Sequence, residues 1–157
     1  MITIKALKII RDLLREKLTD PYTLAGGRDR GGDMWIFGDE PVSMPKFPQI
    51  QIKKLDNPTQ PIDIGPNYYE QEQLIARIWF YSKNGFKLSY EGVTYTNAEV
   101  VELYQGIIKK LLKANFVELE HACLGSYKHL NTTTVAYEPE TQLYVGSVDI
   151  RVRWFSR

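Results

Sequence analysis

The chain has 157 residues, of which 43% are hydrophobic and 25% are charged, and this suits one folded domain with a sizeable core. Its 20 basic and 19 acidic residues leave a formal net charge of +1, so the chain as a whole has no strong attraction for nucleic acid or an anionic membrane. No apolar run is long enough for a spanning helix or a signal peptide, and the single cysteine excludes an internal disulfide.

The first residues predict an amphipathic helix over 4–18. Thr3 is a candidate N-cap, and Asp20-Pro21 marks the end of the helical pattern. The apolar positions recur at three- and four-residue steps and comprise Ile4, Leu7, Ile10, Leu14 and Leu18, with Ile9 and Leu13 widening the stripe.

A glycine-rich segment follows the helix. Residues 25–33 (AGGRDRGGD) contain four glycines and four charges, a composition that cannot pack and predicts a flexible loop within 20–33. The segment lacks the Gly-Lys-Ser/Thr ending of a P-loop, so contact with a protein partner is favoured over phosphate binding. The candidate contact residues in it are Arg28, Asp29, Arg30 and Asp33.

The middle of the chain predicts three strands. Residues 34–37 and the alternation around Ile50 and Ile52 indicate two of them. The prolines between Asn57 and Pro66 predict an extended surface loop within 55–67. The run Leu74 to Tyr81 is apolar on both faces, which predicts a central strand with a helix on one side and another cover, such as a neighbouring subunit, on the other.

Residues 86–95 predict a small hairpin with its turn at Glu91-Gly92. A helix over 97–113 follows, opened by a capping box of Thr96 and Glu99 and ended by Asn115 in the left-handed conformation. A further strand is expected to begin at Phe116-Val117.

The segment from Asn131 to Phe155 predicts a β-hairpin that turns at residues 138–141. Its second strand alternates, with Tyr144, Gly146, Val148, Ile150, Val152 and Trp154 on one face and Ser147, Asp149, Arg151 and Arg153 on the other. The period of two indicates a strand with one buried and one solvated face. Asp149, Arg151 and Arg153 are therefore candidate contacts for a partner or a second subunit.

No pattern in the sequence indicates catalysis. His121 and Cys123 share one strand face, but a metal site needs three or four ligands, and a structural cysteine is favoured. The glutamates in pairs along the chain are typical of solvated strand faces and turns. We expect no enzymatic activity, no cofactor, no metal and no catalytic residues.

These elements predict a single domain, 1–157, of the α+β class: a mainly antiparallel sheet packed against two amphipathic helices, with a long β-hairpin at the C-terminus. The order of elements resembles that of the tail terminator or tail completion proteins of long-tailed phages and viruses. The resemblance rests on the opening helix Ile4 to Leu18, the strand Leu74 to Tyr81, the helix Asn97 to Lys113 and the turn at 137–140 that leads into Val148 to Val152.

The resemblance implies a virion protein at the junction of tail and neck, assembled in the host cytoplasm. Such a protein forms a ring, most often a hexamer, on the end of the tail tube, and it stops tube polymerisation. Its partners are further copies of itself, the tail tube protein and a neck or head-closure protein, while DNA passes through the lumen without sequence-specific binding. No membrane contact is expected.

Two alternatives stay open. Long glycine- and proline-rich insertions leave a head-closure or head-to-tail adaptor of the neck as the first. The second is a small nucleic-acid-binding module, which requires Arg28, Arg30, Arg151 and Arg153 to meet on one surface.

Overall fold

A computed structural model describes residues 2–27, 35–38, 46–56, 59–64, 67–115 and 126–156. Within these ranges the chain forms three α-helices and nine β-strands. In chain order they are α1 (Ile2–Lys17), α2 (Pro21–Leu24), β1 (Ile36–Phe37), β2 (Gln49–Asp56), β3 (Thr59–Ile64), β4 (Asn67–Lys83), β5 (Lys87–Tyr90), β6 (Val93–Thr96), α3 (Ala98–Ala114), β7 (Ser126–Thr132), β8 (Ala136–Glu138) and β9 (Leu143–Ser156).

Seven of these strands form one sheet, in the order β1-β2-β4-β9-β7, with β3 also pairing with β4 and β8 with β9. All its pairs are antiparallel except β1 with β2. The long strands β4 and β9 pair from Glu70 opposite Ser156 to Lys83 opposite Leu143. Strands β5 and β6 form a separate hairpin. The predicted fold class is confirmed.

One face of the sheet is covered by α1 and α3. The side chains of Leu74, Ala76, Ile78 and Phe80 on β4 are fully buried on this face. Their register partners on β9 include Ile150, which is also fully buried. Burial of such aliphatic and aromatic side chains is the main stabilising term of the fold.

Tyr104 of α3 joins the helix layer to the sheet. Its ring stacks on Phe80 with centroids 4.7 Å apart, and it meets the edge of Trp35 at 6.2 Å. Its hydroxyl donates a 2.6 Å hydrogen bond to the carbonyl of Thr19. The hydrogen bond satisfies the polar end of a residue that is 1% exposed.

A glycine on β9 lets α3 approach the sheet closely. A Cβ on Gly146 would lie 2.5 Å from Nε2 of Gln105 and 2.8 Å from Cγ1 of Val101. The amide of Gln105 uses this proximity to donate to the carbonyls of Thr133 and Ser147, at 2.9 and 3.2 Å. Gly146 is therefore required by packing.

The helix ends differ from the predictions in detail. Helix α1 begins at Ile2, so Thr3 lies inside the helix and is not its cap. At α3, Glu99 accepts hydrogen bonds from both the amide and the hydroxyl of Thr96, which is half of the predicted capping box. Asn115 has a φ of −103°, so it does not take the predicted left-handed conformation, and its backbone and side-chain amides both donate to the carbonyl of Leu111.

Two predicted loops contain regular structure. The passage 55–67 holds the end of β2, the whole of β3 and the start of β4, so the prediction of a surface loop there was wrong. Pro61 is compatible with a strand because β3 lies at the edge of the sheet, paired with β4 alone. Within 20–33, residues 21–24 form α2, where the carboxylate of Asp20 accepts from the amide of Tyr22 at 2.9 Å.

Several other predictions are confirmed. The small hairpin is formed by β5 and β6, with positive φ at Glu91 and Gly92. The C-terminal hairpin is formed by β8 and β9, with the turn over 139–142. Met34 and the strand expected from Phe116-Val117 lie outside the described residues, and the strand predicted over 34–37 is described only at Ile36–Phe37.

Candidate interaction surfaces

The second face of the sheet is not covered by any described helix. On β4 this face carries Ile75, Arg77, Trp79 and Tyr81, which alternate with the buried residues and are each partly exposed. We call this surface the open face. Its other described members are Gln51 and Lys53 of β2, Gln73 of β4, Lys128 of β7, and Asp149, Arg151 and Arg153 of β9. Gln49 and Ser147 share this side by register but are buried, so the solvated position predicted for Ser147 was wrong.

Arg77 and Asp149 form the centre of the open face. They are direct register partners on β4 and β9. Arg77 donates from Nε to Oδ1 at 2.7 Å and from Nη2 to Oδ2 at 2.9 Å, which is the bidentate geometry of a strong ion pair. The hydrogen bonds to Asp149 raise the pKa of Arg77, against the effect of burial.

Aromatic side chains lie beside this ion pair. The guanidinium carbon of Arg77 lies 5.1 Å from the ring centroid of Trp79, within the range of a cation–π contact. The rings of Trp79 and Tyr81 follow with centroids 6.2 Å apart. Burial raises the pKa of Tyr81, and the nearby carboxylate of Glu138 adds to the effect. These planar side chains are of the kind that anchor protein interfaces.

Beyond the ion pair, the open face is basic. Arg151 lies directly opposite Lys128 in the register of β9 and β7, and Arg153 follows two positions along β9. Arg153 donates from Nε to the amide oxygen of Gln73, a neutral acceptor, at 3.3 Å. Like charges directly opposite each other on neighbouring strands destabilise a sheet. We call Lys128, Arg151 and Arg153 the basic cluster.

The basic cluster continues around the edge of the sheet into a groove of about 510 Å³ between the end of α3 and β7. The groove is lined by Lys109, Lys113, Tyr127, Lys128 and His129. Burial lowers the pKa of His129, with a smaller contribution from Lys109, while the Asn131 backbone and Asp149 oppose the shift. Burial also raises the pKa of Tyr127 to about 12.

A second groove, of about 500 Å³, lies between α3 and the β5–β6 hairpin. We call it the α3 groove, and it is on the outer side of the helix layer. Its lining consists of Tyr90, Glu91, Tyr95, Glu99, Glu102, Leu103, Gly106, Ile107 and Lys110. Tyrosines and aliphatic side chains form the partly buried part, and the glutamates are exposed. This groove is thus apolar at its base and acidic at its rim.

The predicted contact residues have different outcomes. Arg151 and Arg153 lie together on the open face, as the alternation predicts. Asp149 was expected to be available to a partner, and this was wrong: it is 7% exposed, and Arg77 occupies both of its oxygens. The candidates Arg28, Asp29, Arg30 and Asp33 lie outside the described residues.

Neither the α3 groove nor the partner of Arg77 could be predicted from the sequence. A lone arginine inside the apolar run 74–81 was the available signal for the ion pair, but the register that selects Asp149 is not visible in a single sequence. The groove needs residues from α3 and from a hairpin to be brought together, and no local pattern predicts that contact.

Within the part of the chain that the structure describes, no cluster of His, Cys, Asp and Glu is arranged to hold a metal ion. His121 and Cys123 lie outside that part. Among the helices described here, none is both long enough and apolar enough to cross a bilayer.

Similarity to known proteins is found in structure at low sequence identity. No protein-family model matches the chain, and no curated protein matches it. A solved structure described as "Virion of native gene transfer agent (GTA) particle" contains a chain that matches 98% of this chain over 96% of its own length, with a TM-score of 0.43 and 10% identity.

Proposed function

We propose that this protein is a structural protein of a phage-like virion that forms a ring on the end of the tail tube, ends its polymerisation and joins the tail to the neck. The order of its elements resembles that of tail terminator proteins, and its antiparallel sheet with two packed helices is compatible with such a subunit.

The observation that carries the proposal is the open face. Its central strand β4 is fully buried on the helix side, while Ile75, Trp79 and Tyr81 on the other side remain partly exposed. A contiguous surface of aromatic, aliphatic and paired ionic side chains is typical of subunit interfaces. Covering this face with another copy of the chain removes that surface from water, and repetition of the contact around an axis gives a ring.

The proposal assigns no enzymatic activity and no cofactor to the protein. Its partners are further copies of the chain, the tail tube protein and a neck or head-closure protein, with DNA in the lumen and no membrane contact. A head-closure or head-to-tail adaptor would use the same open face, and the choice between the two roles depends on which virion protein the ring binds.

Native mass spectrometry with negative-stain imaging tests this function. We expect a closed homo-oligomer with six-fold symmetry at tens of micromolar protein or after addition of tail tube protein. Rings that cap purified tubes support a terminator, and rings that bind only a neck protein favour the adaptor. A chain that stays monomeric under all these conditions contradicts both.

One specific observation favours a second candidate, a nucleic-acid-binding module. Arg151 and Arg153 meet Lys128 on one surface, and Trp79 lies on the same face. Cations on the same face as a partly exposed aromatic ring suit the phosphate backbone and the unstacked bases of a single strand. Binding of single-stranded DNA that weakens steeply with salt, in a monomeric protein, is the result expected of that function.

A further inference from the structure

The α3 groove contains a glycine, Gly106, whose lack of a side chain is not required by packing against the described residues. Gly106 lies in the interior of α3 and is exposed, and a Cβ built on it would meet no atom within 4 Å. Glycine inside a helix is less favourable than alanine because it loses more conformational freedom on folding. Gly146 on β9 offers the contrast, since Gln105 and Val101 exclude a side chain there.

Because Gly106 has no side chain, the backbone of α3 is open to the groove at this position. Leu103 and Ile107 flank this opening, and Tyr90 and Tyr95 line the groove with them. A glycine that makes room for nothing in its own protomer is suited to close approach by another molecule. The groove therefore has both the shape and the apolar base of a docking site.

The charges around the groove identify the chemistry of its occupant. Glu91, Glu99 and Glu102 are exposed at the rim, with Lys110 as the one cation among the lining residues. The basic cluster lies on the opposite side of the protomer, because α3 packs on the covered face of the sheet and the cluster is on the open face. The rim of the α3 groove and the basic cluster therefore carry charges of opposite sign.

We infer that the α3 groove of one copy receives the open face of the next copy, with the basic cluster against Glu91 and Glu102. This contact pairs two surfaces of opposite charge, and it covers Trp79 and Ile75 with the apolar base of the groove. It relieves the like-charge opposition of Arg151 and Lys128.

The contact is heterologous, since it joins two different surfaces of the same chain. Heterologous contacts produce rings when the rotation between copies closes, and filaments when it does not. The inference thus rests on the proposed function and deepens it, because it names the two surfaces that a ring of this protein uses.

Charge reversal on each surface tests the contact in the full-length chain. The groove variant carries Glu91→Lys and Glu102→Lys, which spare Glu99 and its hydrogen bonds to Thr96. The face variant carries Lys128→Glu and Arg151→Glu, and Lys8→Glu on the exposed side of α1 is the control. Sedimentation velocity over a concentration series at low salt measures the association midpoint.

We expect each reversed surface alone to raise the midpoint concentration at least about tenfold, which corresponds to about 1.4 kcal/mol. The chain that carries both reversals should recover association to within about threefold of the wild type, since opposite charges face each other again. The control should associate like the wild type, and added salt should weaken the wild-type contact.

Gly106→Ala separates loss of association from loss of stability, because the two effects are expected to have opposite signs. The variant is expected to unfold at a temperature equal to or above that of the wild type, and to associate more weakly because the added methyl group fills the opening in the groove. A variant that is equally stable and associates normally overturns the assignment of the groove.

The outcomes separate this inference from the proposed function. A wild-type protein that forms rings while both charge-reversal variants also form them overturns the inference alone. Failure of the double-reversal chain to recover, with each variant folded, also overturns it. A monomeric wild type that binds single-stranded DNA through Lys128 and Arg151 overturns both and favours the nucleic-acid module. A wild type that neither associates nor binds DNA overturns both as well.

Discussion

Arg77 and Asp149 are 72 residues apart in sequence, yet they face each other across β4 and β9 and share two hydrogen bonds of 2.7 and 2.9 Å. The side chain of Asp149 is 10% exposed and that of Arg77 is 29% exposed. This partial burial weakens solvent screening of the pair, and it means that removal of one partner leaves a charge in a poorly solvated position. The pair also joins the two longest described strands, β4 and β9, across their shared register.

Replacement of Asp149 by alanine is expected to lower the free energy of unfolding by about 1.5–3 kcal/mol, the range for hydrogen bonds to charged groups. A double-mutant cycle with Arg77→Ala isolates the pair, and we expect a coupling energy of about 0.5–3 kcal/mol from urea denaturation. Arg77 also lies over Trp79, so its own replacement includes the loss of that contact. A coupling energy of zero would show that the two side chains act independently.

The two faces of β9 should respond differently to truncation. Ile150 is fully buried against the helix layer, so Ile150→Ala is expected to destabilise the protomer by about 2–5 kcal/mol. Its neighbour Arg151 lies on the open face, and Arg151→Ala should cost less than about 1 kcal/mol in the isolated protomer. Denaturation of both variants measures the difference. Equal losses would contradict the assignment of one buried face to β9.

Glycine-to-alanine changes at two sites should have opposite effects on stability. At Gly146 the new methyl group would lie 2.5 Å from the amide of Gln105, so we expect a loss of about 1–3 kcal/mol from overpacking. At Gly106 the space is open, and the same change should add about 0.5–1 kcal/mol through helix propensity. Thermal unfolding of the two variants side by side checks the signs. A destabilised Gly106→Ala would mean that the interior of α3 is more constrained than its geometry indicates.

Much of the fold could be predicted because its elements carry local patterns. The periodicity of α3 and the alternation of β9 each depend on neighbouring residues, and both predicted elements agree with the structure to within one or two residues. The hairpin turn at Glu91-Gly92 could be predicted from neighbouring residues too, because its positive φ angles favour a local sequence that contains glycine.

The parts that could not be predicted depend on distant contacts. Pro61 predicts a loop by local rules. It is nevertheless compatible with β3, because β3 is an edge strand and a proline nitrogen that faces away from β4 needs no hydrogen-bond partner in the sheet. The alternation of β9 alone predicts that Asp149 is exposed. The side chain that covers it is that of Arg77, which lies on another strand. The α3 groove likewise forms only where α3 meets the hairpin.

His129 is expected to make stability depend on pH. Burial, and secondarily the charge of Lys109, lower the pKa of this histidine below its ordinary value of 6.5. The folded protein therefore binds fewer protons than the unfolded chain between that lowered pKa and 6.5, so stability rises with pH in this window. The contribution is complete above the unfolded pKa and is lost as pH falls through the folded pKa.

His129→Gln keeps a side chain able to bond Thr132, whose hydroxyl lies 2.8 Å from Nε2 of the histidine, but it removes the titration. Urea denaturation from about pH 8 to about pH 5 should show a smaller decline for this variant than for the wild type. His121 and the carboxylates are common to both chains, so the difference between the two curves isolates residue 129. Lys109→Gln removes one cause of the shift, and an NMR titration of that variant should give His129 a higher pKa. Identical pH profiles for the wild type and His129→Gln would contradict the position assigned to this histidine beside α3.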